Sequence, residues 1–96
     1  MVRKHGRIDE NQPEIVDNLR KAGATVQILA GVGKGCPDLL VGFRGQNFAL
    51  EIKDGNKPPS ARKLTPDEKR WHDKWRGQVV VVESTDDALR AIGAIA

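Results

Sequence analysis

The sequence predicts an α/β (α+β) domain, a mixed four-stranded sheet flanked by helices in the order αβββαβα. Three observations predict it. Stretches with an apolar stripe at helical spacing and capping residues frame the chain at 9–22 and 84–96. Three short strand-like runs follow one another at 24–30, 38–43 and 48–53, with glycine-bearing loops between them. A capped helical stretch, 65–75, then leads to a fourth run at 78–83, the arrangement of a crossover back to the sheet.

Each element has its own local reason. In 9–22, Ile15, Val16 and Leu19 make one stripe, Asp9 or Asn11 can cap the start, Pro13 suits the first turn and Gly23 ends it. "ATVQILA" (24–30) is a β-branched strand, and "GVGKG" (31–35) is a loop. "DLLVGF" and "FALEIK" are strands joined by "RGQN" as the turn. "DGNKPPSARKL" (54–64), with its Pro pair and basic residues, reads as loop. In 65–75, Thr65 is the N-cap, Pro66 the first helical residue and Glu68 the partner in a capping box. Trp71 and Trp75, one turn apart, are expected to face the core together. "QVVVVE" (78–83) reads as a strand buried on both faces. The last helix starts at a Ser or Thr cap and places Ala88, Leu89, Ile92 and Ile95 on one side.

Ninety-six residues make one small domain, 1–96, with a basic N-terminal arm at 1–8. A chain of this size buries roughly 60–65% of its unfolded surface, so the core is modest and a homo-oligomer would help it. The net charge of +3 gives only a slight tilt toward polyanions. The single cysteine, Cys36, forbids an intrachain disulfide and fits a reducing, cytoplasmic setting. No apolar run approaches the ~20 residues of a membrane span, so no membrane partner is expected. The start, "MVRKHGR" followed by "IDENQPE", does not read as a signal peptide.

The chemistry concentrates in residues 36–53, "CPDLLVGFRGQNFALEIK". With a four-residue turn, Phe43 faces Phe48, Leu40 faces Glu51 and Asp38 faces Lys53. Alternation then places Asp38, Leu40, Gly42, Ala49, Glu51 and Lys53 on one face and Leu39, Val41, Phe43, Leu50 and Ile52 on the core face. A two-residue turn keeps this parity. Asp38 and Glu51 become diagonal neighbours, roughly 5–8 Å apart at Cβ, within reach of one ion. Two close carboxylates repel, so a positive group belongs between them: Lys53, a metal, or both. The competing reading is a solvated Lys–Asp pair of little consequence.

"PD" followed thirteen residues on by "EIK" resembles the signature of the PD-(D/E)XK nuclease superfamily. The wider text "GVGKGCPDLLVG…EIKDG…LTPDE" is similar to the VRR-NUC family, the virus-type replication-repair nucleases, over residues 9–92. The resemblance implies a restriction-endonuclease-like core and a metal-dependent endonuclease hydrolysing phosphodiester bonds in DNA. It implies Asp38 and Glu51 as ligands of Mg²⁺ or Mn²⁺, the carbonyl of Ile52 as a third, and Lys53 as the residue that orients or deprotonates the attacking water. For members without an attached helicase or targeting domain, as this chain reads, it implies a homodimer that cuts branched DNA as a Holliday-junction resolvase. The family's name implies a phage or prophage source. The alternatives are a flap, nicking or restriction-type nuclease, or a catalytically idle DNA-binding module.

Superfamily members often add a glutamate from the first helix. Among Glu10, Gln12 and Glu14, the apolar stripe favours Gln12 as a site residue, since Glu14 lies about 200° away from it. Gln12 departs from the acidic version, and a role as helix cap competes. Members also often carry a glutamine where Glu68 stands, for which the capping box is a sufficient explanation. Lys34 in the Gly-rich loop, Lys57, Arg62 and Lys63 after the EIK strand, and Arg3, Lys4 and Arg7 in the arm are the candidates for phosphate contact. The Gly-rich loop is not a P-loop and reads as a stretch whose lack of side chains lets DNA approach. Cys36 reads as a packed residue. His72 is expected on the exposed side of its helix.

Overall fold

Strands β1 (Thr25–Ile28), β2 (Leu39–Phe43), β3 (Gln46–Ile52) and β4 (Val79–Val82) form one sheet in that spatial order. The computed structural model describes residues 9–96 and adds helices α1 (Gln12–Lys21), α2 (Pro66–Lys74) and α3 (Thr85–Ala91), with a short 3-10 turn at Pro59–Arg62 inside the expected loop. β1 with β2 and β2 with β3 are antiparallel, while β3 with β4 is parallel, so the sheet is mixed as the sequence predicts. Arg3, Lys4 and Arg7 lie outside the described residues.

One sheet face makes the core. Ile15 and Leu19 of α1, Leu39 and Val41 of β2, Leu50 and Ile52 of β3 and Val82 of β4 are 0–1% exposed. Burying each such side chain is worth about 1.5–3 kcal/mol, which sets the facing of every element they belong to. α1 ends where Gly23 follows its C-cap, and the Ala24 N–H closes back on the Leu19 carbonyl at 3.0 Å. Its start differs from expectation. The Asn11 side chain does not cap α1. Its amide instead donates to the carbonyls of Lys53 and Glu83, at 3.2 Å each. The helix is thereby pinned to the ends of β3 and β4.

The hairpin turn is shorter than predicted. Phe43 pairs with Gln46, leaving only Arg44 and Gly45 in the turn. Both have positive φ, 51° and 80°. That is the left-handed backbone a two-residue hairpin turn requires, which glycine adopts freely; the Arg44 guanidinium lies over the Phe43 ring, 4.8 Å from the centroid. The face assignment survives, because shortening the loop by two keeps parity. The register shifts, however: paired residues now sum to 89, as in Leu39 with Leu50. Continued by one residue, that register puts Asp38 directly across from Glu51, and no longer across from Lys53.

Three expectations about burial are corrected. β4 is an edge strand: Val82 is fully buried but Val81 is 37% exposed. A run of valines fills one face of an edge as readily as both faces of a central strand. α2 buries no residue fully. Trp71 and Trp75 stack on each other, centroids 4.4 Å apart, and Trp75 is 50% exposed at the helix C-cap. The reason is position: α2 lies on the opposite sheet face from the core, over the polar end of β3. Finally, α3 stops at Ala91, and Ile95 falls beyond it and is 40% exposed.

Candidate functional site

A cleft of about 440 Å³ opens on the non-core face at the ends of β2 and β3. Asp9, Lys34, Asp38, Glu51, Lys53 and Glu68 are among its walls. Asp38 immediately precedes β2, and its Oδ2 accepts the Ile52 N–H at 2.7 Å. This bond ties the acid to the neighbouring strand and fixes its direction. Glu51 is 3% exposed. Burial, then the charges of Asp38 and Glu68 and a hydrogen bond with Asp38, push its carboxyl up to about 10, against the pull of Lys53. Asp38 is also raised, by burial, in spite of the Ile52 N–H. Two carboxyl groups this close share a hydrogen bond only if one keeps a proton.

Lys53 follows β3 and is almost buried. Its Nζ lies 2.8 Å from Glu68 Oε1 and 4.0 Å from Glu51 Oε2. Burial disfavours the ammonium, but the Glu68 hydrogen bond and the charges of Glu68, Glu51 and Asp9 outweigh it, and its pKa is raised. Burial acts to raise Glu68, yet its bonds to Lys53 and to the Thr65 N–H win, and its pKa falls. Glu68 thus serves two purposes. It completes the capping box with Thr65, as the sequence predicts, and it reaches across to Lys53. The second is invisible in sequence, because it depends on how α2 crosses the sheet.

The first-helix position agrees with the apolar stripe. Gln12 is buried, at 3% exposure, on the sheet-facing side, and its Oε1 has no partner. The cleft walls do not include it. Glu14 is exposed, as the stripe implies. The acid that does reach the cleft is Asp9, two residues before the Asn11 N-cap, where it also meets Lys57 at 3.6 Å. Its only sequence signal was its place among possible caps.

The Gly-rich loop owes its glycine to protein packing as well as to openness. A Cβ on Gly35, at φ +82°, would collide with the Asp67 carbonyl at the start of α2. His72 departs from its expected place on the exposed side. Its Nε2 is buried and lies 3.9 Å from Glu51 Oε1. Burial lowers its pKa, with Glu68 and Asp73 acting the other way. Cys36 borders the cleft, and burial, Glu51 and Asp38 raise its thiol pKa, which suits a packed residue and not a nucleophile.

The donors present fit a hard divalent cation. Glu51 holds a buried, unpartnered oxygen, and facing carboxylates need positive charge between them. Among the described residues no three His, Cys, Asp or Glu side chains gather to cage an ion. Two carboxylates with open positions match an ion that keeps waters and binds substrate phosphate. Ile52 borders the cleft while its side chain is in the core, so its backbone is what the cleft meets.

A search of solved structures finds a chain described as "VRR_NUC domain", 32% identical, covering 93% of this chain and 96% of that one, with a TM-score of 0.62. The chain belongs to the VRR-NUC family. That membership supports a nuclease function. A scan against protein-family models and a search of curated proteins find no match. In this VRR-NUC domain the remaining basic candidates separate into two kinds. Lys34 and Lys63 are exposed and form no ion pair among the described residues. Arg62 is tied down, donating to the Lys57 carbonyl at 2.8 Å and meeting Glu83 at 3.1 Å, and Lys57 meets Asp9. Among the described residues no helix is long and apolar enough to cross a membrane.

Proposed function

We propose that this VRR-NUC domain is a Mg²⁺- or Mn²⁺-dependent endodeoxyribonuclease that hydrolyses phosphodiester bonds in branched DNA, four-way junctions above all, and works as a homodimer. The observation that carries the reading is the facing pair Asp38 and Glu51 at the floor of an open cleft, with a Lys53 ammonium 4.0 Å from Glu51. Asp38, Glu51 and the Ile52 carbonyl would hold the ion. When bound, it would neutralise the two acids and draw charge from the phosphate and the attacking water.

The chain's own groups do the rest. Glu68 and the other acids keep Lys53 protonated, so Lys53 acts as a charged donor to a phosphate oxygen and orients the water, and is not the base. Water adds to phosphorus as the bond to the leaving sugar oxygen breaks, with the water's proton released to solvent and the leaving oxygen taking one up from it. Lys34 and Lys63, without ion pairs among the described residues, contact flanking phosphates. Arg62 and Lys57 brace the loop after β3.

Two copies suit a four-way junction, whose resolution needs paired cuts related by a two-fold axis.

The test is cleavage of end-labelled four-way junction, flap and linear duplex in Mg²⁺, Mn²⁺ and EDTA, with the oligomeric state measured by sedimentation. Paired symmetric cuts in the junction by a dimer are expected. Cutting confined to flap or duplex would replace this substrate with the nicking or restriction-type reading. Junction binding with no cutting in any metal would leave a DNA-binding module.

A further inference from the structure

Glu51 has two oxygens in different surroundings. Oε2 faces Lys53 Nζ at 4.0 Å, while Oε1 faces His72 Nε2 at 3.9 Å. Both Oε1 and Nε2 are buried and have no hydrogen-bond partner among the described residues. Two orphaned polar atoms turned toward each other in a dry place are rare in folded proteins, because each forfeits its hydration. The His72 side chain is 13% exposed, and the edge of Trp71 packs on it, centroids 6.2 Å apart. The helix also explains the placement. Glu68 and His72 are one turn apart on α2, so one helix face reaches Lys53 with the first and Glu51 with the second.

We propose that His72 is a positioning residue for Glu51: its Nε2–H donates to Glu51 Oε1 and turns Oε2 toward the open cleft. This rests on the metal-site reading above, and it assigns α2 a part in setting that site. The 3.9 Å gap is a small side-chain rotation from hydrogen-bond length, and such bonds are often long in an unliganded site and tighten on binding. A neutral imidazole suffices for this, so the contact needs no change in the charge of His72. Carboxylates that ligate ions are commonly fixed by such outer hydrogen bonds, whose loss weakens binding roughly 10–100-fold.

The experiment measures Mn²⁺ affinity of the whole chain by the electron paramagnetic resonance signal of free Mn²⁺, for wild type, His72→Leu, His72→Phe and His72→Gln. Thermal midpoints in EDTA check that each variant is folded. Leu and Phe, which lack the donor, are expected to weaken Mn²⁺ binding about tenfold. Gln, which keeps an N–H at similar reach, is expected to recover most of the loss. The two apolar variants differ in shape, so at least one folded form tests the donor. Wild-type affinity in either folded apolar variant, or a Gln variant as weak as they are, would overturn the role of His72 alone. Absence of Mn²⁺ binding by the wild type would overturn the metal site itself, and this role with it.

Discussion

Lys53 Nζ and Glu68 Oε1 lie 2.8 Å apart and join the end of β3 to the first turn of α2. The same Glu68 oxygen also accepts the Thr65 N–H at 2.9 Å, so one side chain holds both the helix cap and the lysine.

Separate substitutions divide those two tasks. Glu68→Gln keeps an acceptor for Thr65 and removes the charge beside Lys53. Its stability is expected to stay within about 1 kcal/mol of wild type, while cleavage falls at least several-fold. Glu68→Ala removes both and is expected to cost about 1–2 kcal/mol as well. Urea unfolding and initial cleavage rates measure the pair.

The Glu51 carboxyl gives the fold a pH dependence with a definite sign. Its folded pKa of about 10 lies above the ordinary glutamate value. The folded chain therefore keeps a proton that the unfolded chain releases. The stability this contributes is full below the unfolded pKa, about pH 4, and is lost as pH rises toward the folded value. Asp38, also raised, adds a slope of the same sign. In EDTA, urea midpoints should fall as pH rises from about 5 to about 9, and Glu51→Gln should flatten the curve and be the more stable protein at the alkaline end. Equal slopes for the two proteins would contradict the buried acid pair.

Much of this was legible in the chain. The element order follows from caps and breakers that act locally, such as Thr65 with Glu68 and Gly23 after Ala22. The shared face of Asp38 and Glu51 follows from parity, which survives a wrong turn length. The turn itself was not legible, because Arg44 at φ 51° is an unusual residue for left-handed backbone. Nor were the places of Asp9 in the cleft wall, of Glu68 beside Lys53 and of His72 beside Glu51. Those depend on how α1 and α2 cross the sheet, which no local pattern encodes. The Trp pair misled for a related reason: a one-turn apolar spacing says which side of the helix it marks, not whether the core is there.

The exposure of the Trp pair has a measurable consequence. Trp75, 50% exposed, should tolerate Trp75→Ala at a cost of about 1 kcal/mol or less, whereas Leu19→Ala, at a fully buried position, should cost about 2–5 kcal/mol. Thermal or urea unfolding of the two variants compares them directly.

Gly35 makes the loop before Asp38 dock against α2. Gly35→Ala meets both a left-handed backbone and the Asp67 carbonyl, so it is expected to destabilise by more than about 1 kcal/mol and to reduce cleavage by moving Asp38. Gly33→Ala, also at positive φ but with open space around the added methyl, should cost less. Equal costs at the two positions, read by urea unfolding, would mean that the backbone alone matters there.

The proposed nuclease activity depends on an ion held by Asp38 and Glu51. Cleavage of labelled four-way junction by wild type and Asp38→Asn, titrated with Mn²⁺ and with EDTA, tests it most directly. Metal-dependent cutting by the wild type, abolished by EDTA, is expected, with a loss of at least about a hundredfold in the folded variant at every Mn²⁺ concentration. Equal cutting by Asp38→Asn, or cutting that persists in EDTA, would contradict it.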